Sequence, residues 1–340
     1  MQQGGFVLAN TVNTAFSEFM RDKVNLDPDI VKKARSSRDN LIANIHNLGS
    51  KDDFFNLYNE VDIAFGSFAR GTKIRPLDDI DLIIGIMAEE TTYSDCTDKV
   101  IMYVNNDNIA QNSCVNIGTN ILNSTKVINK FIGELQKIND YKKSEMHKNG
   151  AATTLQLKSY TWSFDIVPCF FTTKEADGRN FYLIPDGKGN WQKTDPRIDM
   201  YNVTRINQNH NGRVLDTIRL AKYWNRRPTM PSVPSYVFEC LLLQYFDNMT
   251  SADNEYIDLR FCSLMRYIAD NISSSIYDPK GIQGDMNKLS FEEKLNIKIR
   301  ALEDLEKANE AVYAETKEND QQKSIRKWRE ILGSEFPTYG

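Results

Sequence analysis

The sequence predicts an α+β protein in which a half built around a mixed sheet is followed by a helical half. Short runs rich in β-branched and aromatic residues, separated by turn residues, occur before residue 195 and indicate strands. After Asp195-Pro196, apolar residues recur at helical spacing in one segment after another. We therefore expect two domains, residues 1–195 and residues 196–340, and we find no internal repeat or low-complexity tract.

The local patterns predict the individual elements. Asp27-Pro28 opens a helix, because proline and acidic residues favour the first turn, and its apolar stripe runs to Leu48. Helical spacing returns at about residues 120–138. Strands are predicted at Val61–Phe65, Ile80–Ile86, 97–105, Thr153–Leu157 and Ser163–Phe171. Helices of the second half are predicted at 211–226, 234–247, 255–272, 290–315 and 319–332.

The composition is that of an ordinary globular protein with a substantial core. The 340 residues are 41% hydrophobic and 26% charged, with a formal net charge of −4. Proteins that neutralise many phosphates of a long nucleic acid usually carry a basic surface. We therefore expect no long nucleic acid partner, whereas small nucleotides remain compatible with this charge.

Targeting and cysteine patterns predict a cytoplasmic protein without a membrane partner. No segment approaches the roughly 20 apolar residues that span a bilayer, and the first ten residues lack the basic and apolar regions of a secretory signal. The scattered histidines and cysteines form no pair with metal-ligand spacing, so neither zinc nor a disulfide framework is expected. These residues are His46, His147, His210, Cys96, Cys114, Cys169, Cys240 and Cys262.

A glycine-serine pair follows the first predicted strand. Gly66 permits a tight turn in which backbone amides approach a phosphate, and the Ser67 hydroxyl can add a hydrogen bond. An ordinary turn would use the same two residues. Arg70 and Thr72 follow in the same loop, where they could either approach phosphates or serve only the turn.

Two aspartates open the next strand. Because side chains alternate across a strand, Asp79 and Asp81 share one face about 7 Å apart, whereas Asp78 falls on the other. Neighbouring carboxylates repel each other unless a cation lies between them. Surface acids at a solvated strand start are the alternative interpretation.

A third aspartate stands within an apolar strand. Asp165 is flanked by Phe164 and Ile166. Burying its carboxylate without a partner would reduce the stability of the fold by several kcal/mol. It is therefore expected either to bind a cation or to form a salt bridge with an arginine or lysine.

Together these residues are typical of a two-metal nucleotidyl transfer centre. Three carboxylates, Asp79, Asp81 and Asp165, can hold two Mg²⁺ ions about 4 Å apart, and Mn²⁺ could replace them. Asp79 and Asp81 would serve both ions. Asp165 would serve the ion on the acceptor side and could take the proton. Gly66 and Ser67 would hold the β- and γ-phosphates.

The spacing of these residues also resembles a known signature. Gly66-Ser67, followed after eleven residues by Asp79-x-Asp81 and later by Asp165, is similar to the signature of the DNA polymerase β-like nucleotidyltransferases. From about residue 55 to 337 the chain resembles the bacterial cGAS/DncV-like nucleotidyltransferases (CD-NTases). The segments that carry this resemblance are, in order, FGSFARGTKIRPLDDIDLIIGI, NGAATTLQL, FDIVPCF, WQKTDPR, LDTIRLAKYWN, PSYVFECLL, IYDPKG and KWREILGSEFP.

The resemblance implies a polymerase β-like core packed on a helical domain like that of oligoadenylate synthetase, with the active site in the cleft. It also implies a Mg²⁺-dependent enzyme that makes a cyclic di- or trinucleotide, or sometimes a linear product, from nucleoside triphosphates, ATP among them. The messenger would act in anti-phage signalling through an effector protein. The zinc-binding insertion of animal cGAS is absent from the sequence.

The resemblance further implies three nucleotide-binding residues in the helical half. Lys222 and Ser235 match residues that contact the donor triphosphate, and Tyr236 matches the aromatic residue that stacks on the donor base. A lysine supplies charge to a triphosphate, and the free amides of a helix start favour anions. The alternatives are a solvated lysine, a serine N-cap after Pro234, and a core tyrosine.

Two other functions stay open from sequence. The same chemistry could act on another acceptor, such as a tRNA end, an antibiotic hydroxyl or a protein side chain. A relative that only binds nucleotides would often lack one of the three aspartates, and all three are present here.

Overall fold

The computed structural model describes residues 8–228, 231–249 and 254–340. The segment 1–7, on which part of the signal-peptide prediction depends, lies outside the described residues. No helix in the described ranges has the length and apolarity needed to cross a membrane. The α+β class is confirmed, because strands and helices both occur and most helices follow residue 195.

The helices and strands are numbered in chain order. The helices are α1 (Val12–Phe19), α2 (Pro28–Leu48), α3 (Gly66–Ala69), α4 (Ile109–Asn112), α5 (Ser124–Leu135), α6 (Pro196–Asn209), α7 (Val214–Asn225), α8 (Ser235–Asp247), α9 (Ile257–Asn271), α10 (Phe291–Thr316) and α11 (Gln321–Leu332). The strands are β1 (Leu8–Ala9), β2 (Ile63–Phe65), β3 (Asp79–Gly85), β4 (Thr92–Asp95), β5 (Val100–Tyr103), β6 (Glu145–Asn149), β7 (Ala152–Gln156), β8 (Ser163–Phe171), β9 (Tyr182–Pro185), β10 (Trp191–Thr194) and β11 (Thr338–Tyr339).

Contacts between Cα atoms group the chain into two compact units. The sheet unit comprises Pro28–Arg70 and Leu77–Met200, and the helical unit comprises Met1–Asp27, Gly71–Pro76 and Tyr201–Gly340. The units therefore divide inside α6, and residues 8–27 group with the helical unit. The division into two domains at residue 195 remains a prediction.

The sheet unit is built on a mixed sheet with the order β2-β3-β8-β9-β10-β5-β4. Strands β3 and β8 are parallel, and the other pairs in the sheet are antiparallel. Strand β8 pairs with β3 and also with two further strands. Its first half pairs with β7, its last two residues pair with β9, and β6 extends the sheet beyond β7. This branching places β3, β8, β7 and β6 side by side.

One face of these strands carries part of the core of the sheet unit. Ile80 and Leu82 of β3 and Phe164 and Ile166 of β8 are buried on this face. Helix α5 packs there, and the side chain of its N-cap residue Asn123 accepts hydrogen bonds from the backbone N–H groups of residues 125 and 126. The polar residues that alternate with this apolar set therefore face the other way.

The helical unit has its own core, formed mainly by helices α7 to α11. Trp224 and Trp328 are fully buried in it. Helix α1 belongs to the same core, because Phe16 packs edge-on against Trp328 with ring centroids 5.0 Å apart. Helix α10 begins with a capping box in which Ser290 and Glu293 satisfy each other's backbone N–H groups, which explains the agreement with the predicted start.

Candidate active site

The three predicted catalytic aspartates share one face of the sheet. Strands β3 and β8 are parallel, with Asp81 paired with Asp165 and Asp79 paired with Ser163. Directly paired residues of neighbouring strands point to the same side, and residues two apart on a strand do so as well. Asp79, Asp81 and Asp165 therefore point to the same side. All three are half-buried, so solvent reaches them.

The glycine-serine turn lies against one of these carboxylates. Phe65, the last residue of β2, pairs with Asp81, and Gly66 follows at once with a φ of 71°. A Cβ atom at position 66 would lie 1.8 Å from Asp81 Oδ2. Only glycine fits this approach, because any side chain would displace the carboxylate. Ser67 is the next residue of the same turn and is half-buried.

The third carboxylate is held by a hydrogen bond that sequence reasoning missed. The Thr154 hydroxyl donates to Asp165 Oδ1 over 2.5 Å. Thr154 lies on β7 directly opposite Asp165 in the antiparallel register. This oxygen is therefore held by a threonine hydroxyl and not by the arginine or lysine of the alternative interpretation.

The donor set fits a hard divalent cation. Mg²⁺ prefers carboxylate oxygens, and three half-buried carboxylates on one sheet face provide them. Because residue 66 is glycine, no side chain at this position occupies the space beside Asp81 Oδ2. In the parts of the chain that the structure describes, no three histidine, cysteine, aspartate or glutamate side chains are gathered closely enough to count as a ready-made metal site. The metal-ligand role of the aspartates stays a prediction.

Lys222 is buried in the helical unit and does not extend into solvent. Its side chain is 7% exposed, and its Nζ lies 3.4 Å from Glu239 Oε2. The same carboxylate oxygen accepts a 2.7 Å hydrogen bond from the fully buried Thr72 hydroxyl. The alternative of a solvated helix lysine is therefore wrong. The sequence analysis did not identify Glu239, because a single acidic residue within the apolar run of α8 belongs to no recognisable motif.

Ser235 and Tyr236 open helix α8. The N-cap position belongs to Pro234, and Ser235 is the first helical residue, so the alternative of a serine N-cap is wrong. Pro234 makes no side-chain capping hydrogen bond, and Ser235 is exposed at this helix start. Tyr236 is half-buried and packs on the core of the helical unit while keeping part of its surface open.

The Tyr236 side chain is held by a lysine of the IYDPKG segment. Lys280 Nζ contacts the Tyr236 hydroxyl and lies 4.4 Å from the ring centroid. Lys280 is itself fixed by Asp278, at 2.8 Å from its carboxylate. Burial opposes ionisation of Asp278, but the ammonium and the backbone N–H groups of residues 280 and 283 outweigh it, so the pKa of this carboxyl is lowered. Asp278 and Lys280 were not predicted from sequence.

Comparison with known proteins decides the family. No family model matches the chain. A protein of Bacillus cereus (strain VD146) named "Probable cyclic nucleotide synthase" is 41% identical over 334 residues, covering 98% of this chain and 99% of the relative. The chain belongs to the bacterial CD-NTase family. This CD-NTase is accordingly a nucleotidyltransferase of the cyclic nucleotide synthase class, as the resemblance of its motifs predicted.

More distant proteins share part of the sequence or the fold. The cyclic AMP-AMP-AMP synthase of an Acinetobacter species is 26% identical over 207 residues, which are 57% of this CD-NTase and 56% of that enzyme. The structure of CdnC from Escherichia coli MS115-1 with ATP covers 95% of this chain and 98% of its own, with a TM-score of 0.68 and 18% identity. The structure of the cyclic AMP-GMP synthase DncV of Vibrio cholerae matches 82% of this chain and 70% of its own chain, with a TM-score of 0.57 and 10% identity. The predicted fold is thereby confirmed.

Proposed function

We propose that this CD-NTase joins nucleoside triphosphates into a cyclic di- or trinucleotide messenger in a Mg²⁺-dependent reaction that serves defence against phage. The observation that carries the proposal is the pairing of Asp81 with Asp165 on one sheet face, with Asp79 beside them. Three carboxylates in this arrangement could hold the divalent cations that promote nucleotidyl transfer.

Asp79, Asp81 and Asp165 would hold the divalent cations. When bound, these ions neutralise the charge of the triphosphate and lower the pKa of the acceptor hydroxyl. The half-buried position of the three aspartates supports this role, because it leaves them accessible to a nucleotide.

The reaction forms one phosphodiester bond for each nucleotide added. The hydroxyl oxygen of one nucleotide attacks the α-phosphorus of another, the bond to the β-phosphate oxygen breaks, and pyrophosphate leaves. Asp165 would accept the hydroxyl proton. A last transfer between the two ends of the linear intermediate would close the ring.

The remaining residues would bind and orient the donor. Backbone N–H groups of the turn at Gly66 and the Ser67 hydroxyl would hold the β- and γ-phosphates. Lys222 would add positive charge, Ser235 would donate from the start of α8, and Tyr236 would stack on the base. The buried Glu239 would keep the lysine ammonium in a defined place.

The relatives support ATP as one substrate and a protein partner as a second component. E. coli CdnC has been solved with ATP and in a complex with HORMA-deltaN, and that complex covers 95% of this chain with a TM-score of 0.65. The named products of relatives contain AMP in each case. We propose that a HORMA-type protein binds this CD-NTase and that a separate effector senses its product.

The test is product analysis after incubation with the four radiolabelled nucleoside triphosphates and Mg²⁺. A cyclic product resists phosphatase, and mass spectrometry gives its ring size and bases. The D79N/D81N variant, with unchanged thermal stability, is the control and should form no product. Only phosphatase-labile oligomers, or nucleotide transferred to a co-incubated tRNA, antibiotic or protein, would contradict the cyclic product.

A further inference from the structure

The register of the sheet extends the aspartate face by a further strand. Strand β7 pairs antiparallel with β8, and Thr154 stands directly opposite Asp165. Asp81, Asp165 and Thr154 therefore form one row across three neighbouring strands, with side chains on the same face. This row connects a residue without a predicted role to two predicted metal ligands.

The contact between Thr154 and Asp165 is close and sheltered. The Thr154 hydroxyl donates to Asp165 Oδ1 over 2.5 Å, and Thr154 is only 8% exposed. Bonds between a hydroxyl and a carboxylate of this length belong to the stronger, charge-assisted class. A β-branched side chain has few χ1 rotamers, so the hydroxyl is presented from a nearly fixed position.

We propose that Thr154 is a positioning residue that fixes the Asp165 carboxylate for its role toward the cation and the acceptor hydroxyl. The hydrogen bond engages Oδ1 and so restrains the rotation of the carboxylate that would bind the cation. Partners of this kind orient ligands in metal sites generally. The inference rests on the proposed function, because it presupposes that Asp165 meets a divalent cation.

The neighbouring threonine offers a matched control. Thr153 points to the opposite face of β7, is fully buried, and its hydroxyl donates to the Ile128 carbonyl oxygen over 3.4 Å. A change from threonine to valine keeps the shape and removes the hydroxyl at either position. T153V therefore reproduces the loss of a buried hydroxyl without touching Asp165.

The experiment measures Mn²⁺ binding to the full-length chain by electron paramagnetic resonance, together with the Mg²⁺ concentration that gives half-maximal product formation. Loss of a partner of a metal ligand typically weakens metal affinity or activity about 10–100-fold. We expect a loss of at least about tenfold for T154V, and values within about threefold of wild type for T154S and T153V. Thermal unfolding verifies that each variant is folded.

The outcomes separate this inference from the proposed function. Weaker Mn²⁺ binding in T154V with rescue in T154S supports the positioning role, even if the wild-type chain forms no cyclic product. Unchanged Mn²⁺ affinity and Mg²⁺ dependence in folded T154V would overturn it. If T154V fails to fold, T154S and T154A decide the matter: equal Mn²⁺ affinity in the two would overturn the role, and weaker binding only in T154A would support it.

Discussion

Gly66 approaches Asp81 so closely that a Cβ atom at position 66 would lie 1.8 Å from the Asp81 Oδ2 atom. The turn that we propose binds phosphate and a carboxylate that we propose binds the cation are thus parts of one packed arrangement. A substitution at position 66 acts on both at once.

We predict that G66A abolishes product formation, because the new methyl group displaces the Asp81 carboxylate. G118A is the matched control. Gly118 has a φ of 74°, nearly the value at Gly66, but a Cβ atom there would meet nothing within 4 Å. Both variants carry the strain of a left-handed backbone, about 1–2 kcal/mol. Thermal unfolding and initial rates of product formation separate the two effects, and G66A activity equal to that of G118A would contradict the explanation.

The buried pair of Lys222 and Glu239 predicts a non-additive effect on stability. Removing one partner of a buried ion pair costs about 3–5 kcal/mol, since it leaves the other charge without compensation. We expect E239A to lose stability in this range and K222M to lose a similar amount. The K222M/E239A double variant should lose clearly less than the sum. Urea unfolding measures the three values, and strict additivity would show that the two side chains do not interact.

Tyr236 is predicted to contribute through its ring more than through its hydroxyl. Stacking of a base on an aromatic side chain contributes about 1–3 kcal/mol. Y236A should therefore weaken ATP binding about tenfold or more, whereas Y236F, which keeps the ring, should bind within a few fold of wild type. Isothermal titration calorimetry with ATP and Mg²⁺ gives both constants. Equal losses in the two variants would assign the effect to the contact between the hydroxyl and Lys280.

Asp278 gives a prediction about pH. Its pKa in the folded protein is lowered, because the effect of burial is outweighed by Lys280 and by backbone N–H groups. The ionised form is thus favoured by folding, so its contribution to stability is present above the unfolded value of about 3.9 and is lost as pH falls through the lower folded value. The stability difference between wild type and D278N should be constant from about pH 7 to 5 and should shrink below about pH 4. Urea titrations at each pH measure this difference, and a gap that persists unchanged to pH 3 would contradict the assignment.

Much of the fold could be predicted from local sequence. Ser163–Phe171 is a strand over the predicted range, because a long apolar run of β-branched and aromatic residues favours a buried strand over other secondary structure. Helix α6 was not predicted, since its sequence PRIDMYNVTRINQN has few apolar residues. The polar edge strand β6 was missed for the same reason.

The candidate site was predictable only in part. Alternation along one strand placed Asp79 and Asp81 on one face without knowledge of the fold. The pairing of Asp81 with Asp165 depends on how two distant strands meet, which only the structure shows. Thr154 and Glu239 could not be predicted, because their importance comes from the atoms that they contact.

The central claim is that Asp79, Asp81 and Asp165 act together on one face of the sheet. Product formation by D165N tests it most directly, because the position of this residue beside Asp81 is what the structure adds. The account predicts a folded variant whose rate falls about a hundredfold or more, since one of the charges proposed to hold the cation is lost. A D165N variant that forms cyclic product at the wild-type rate would contradict it.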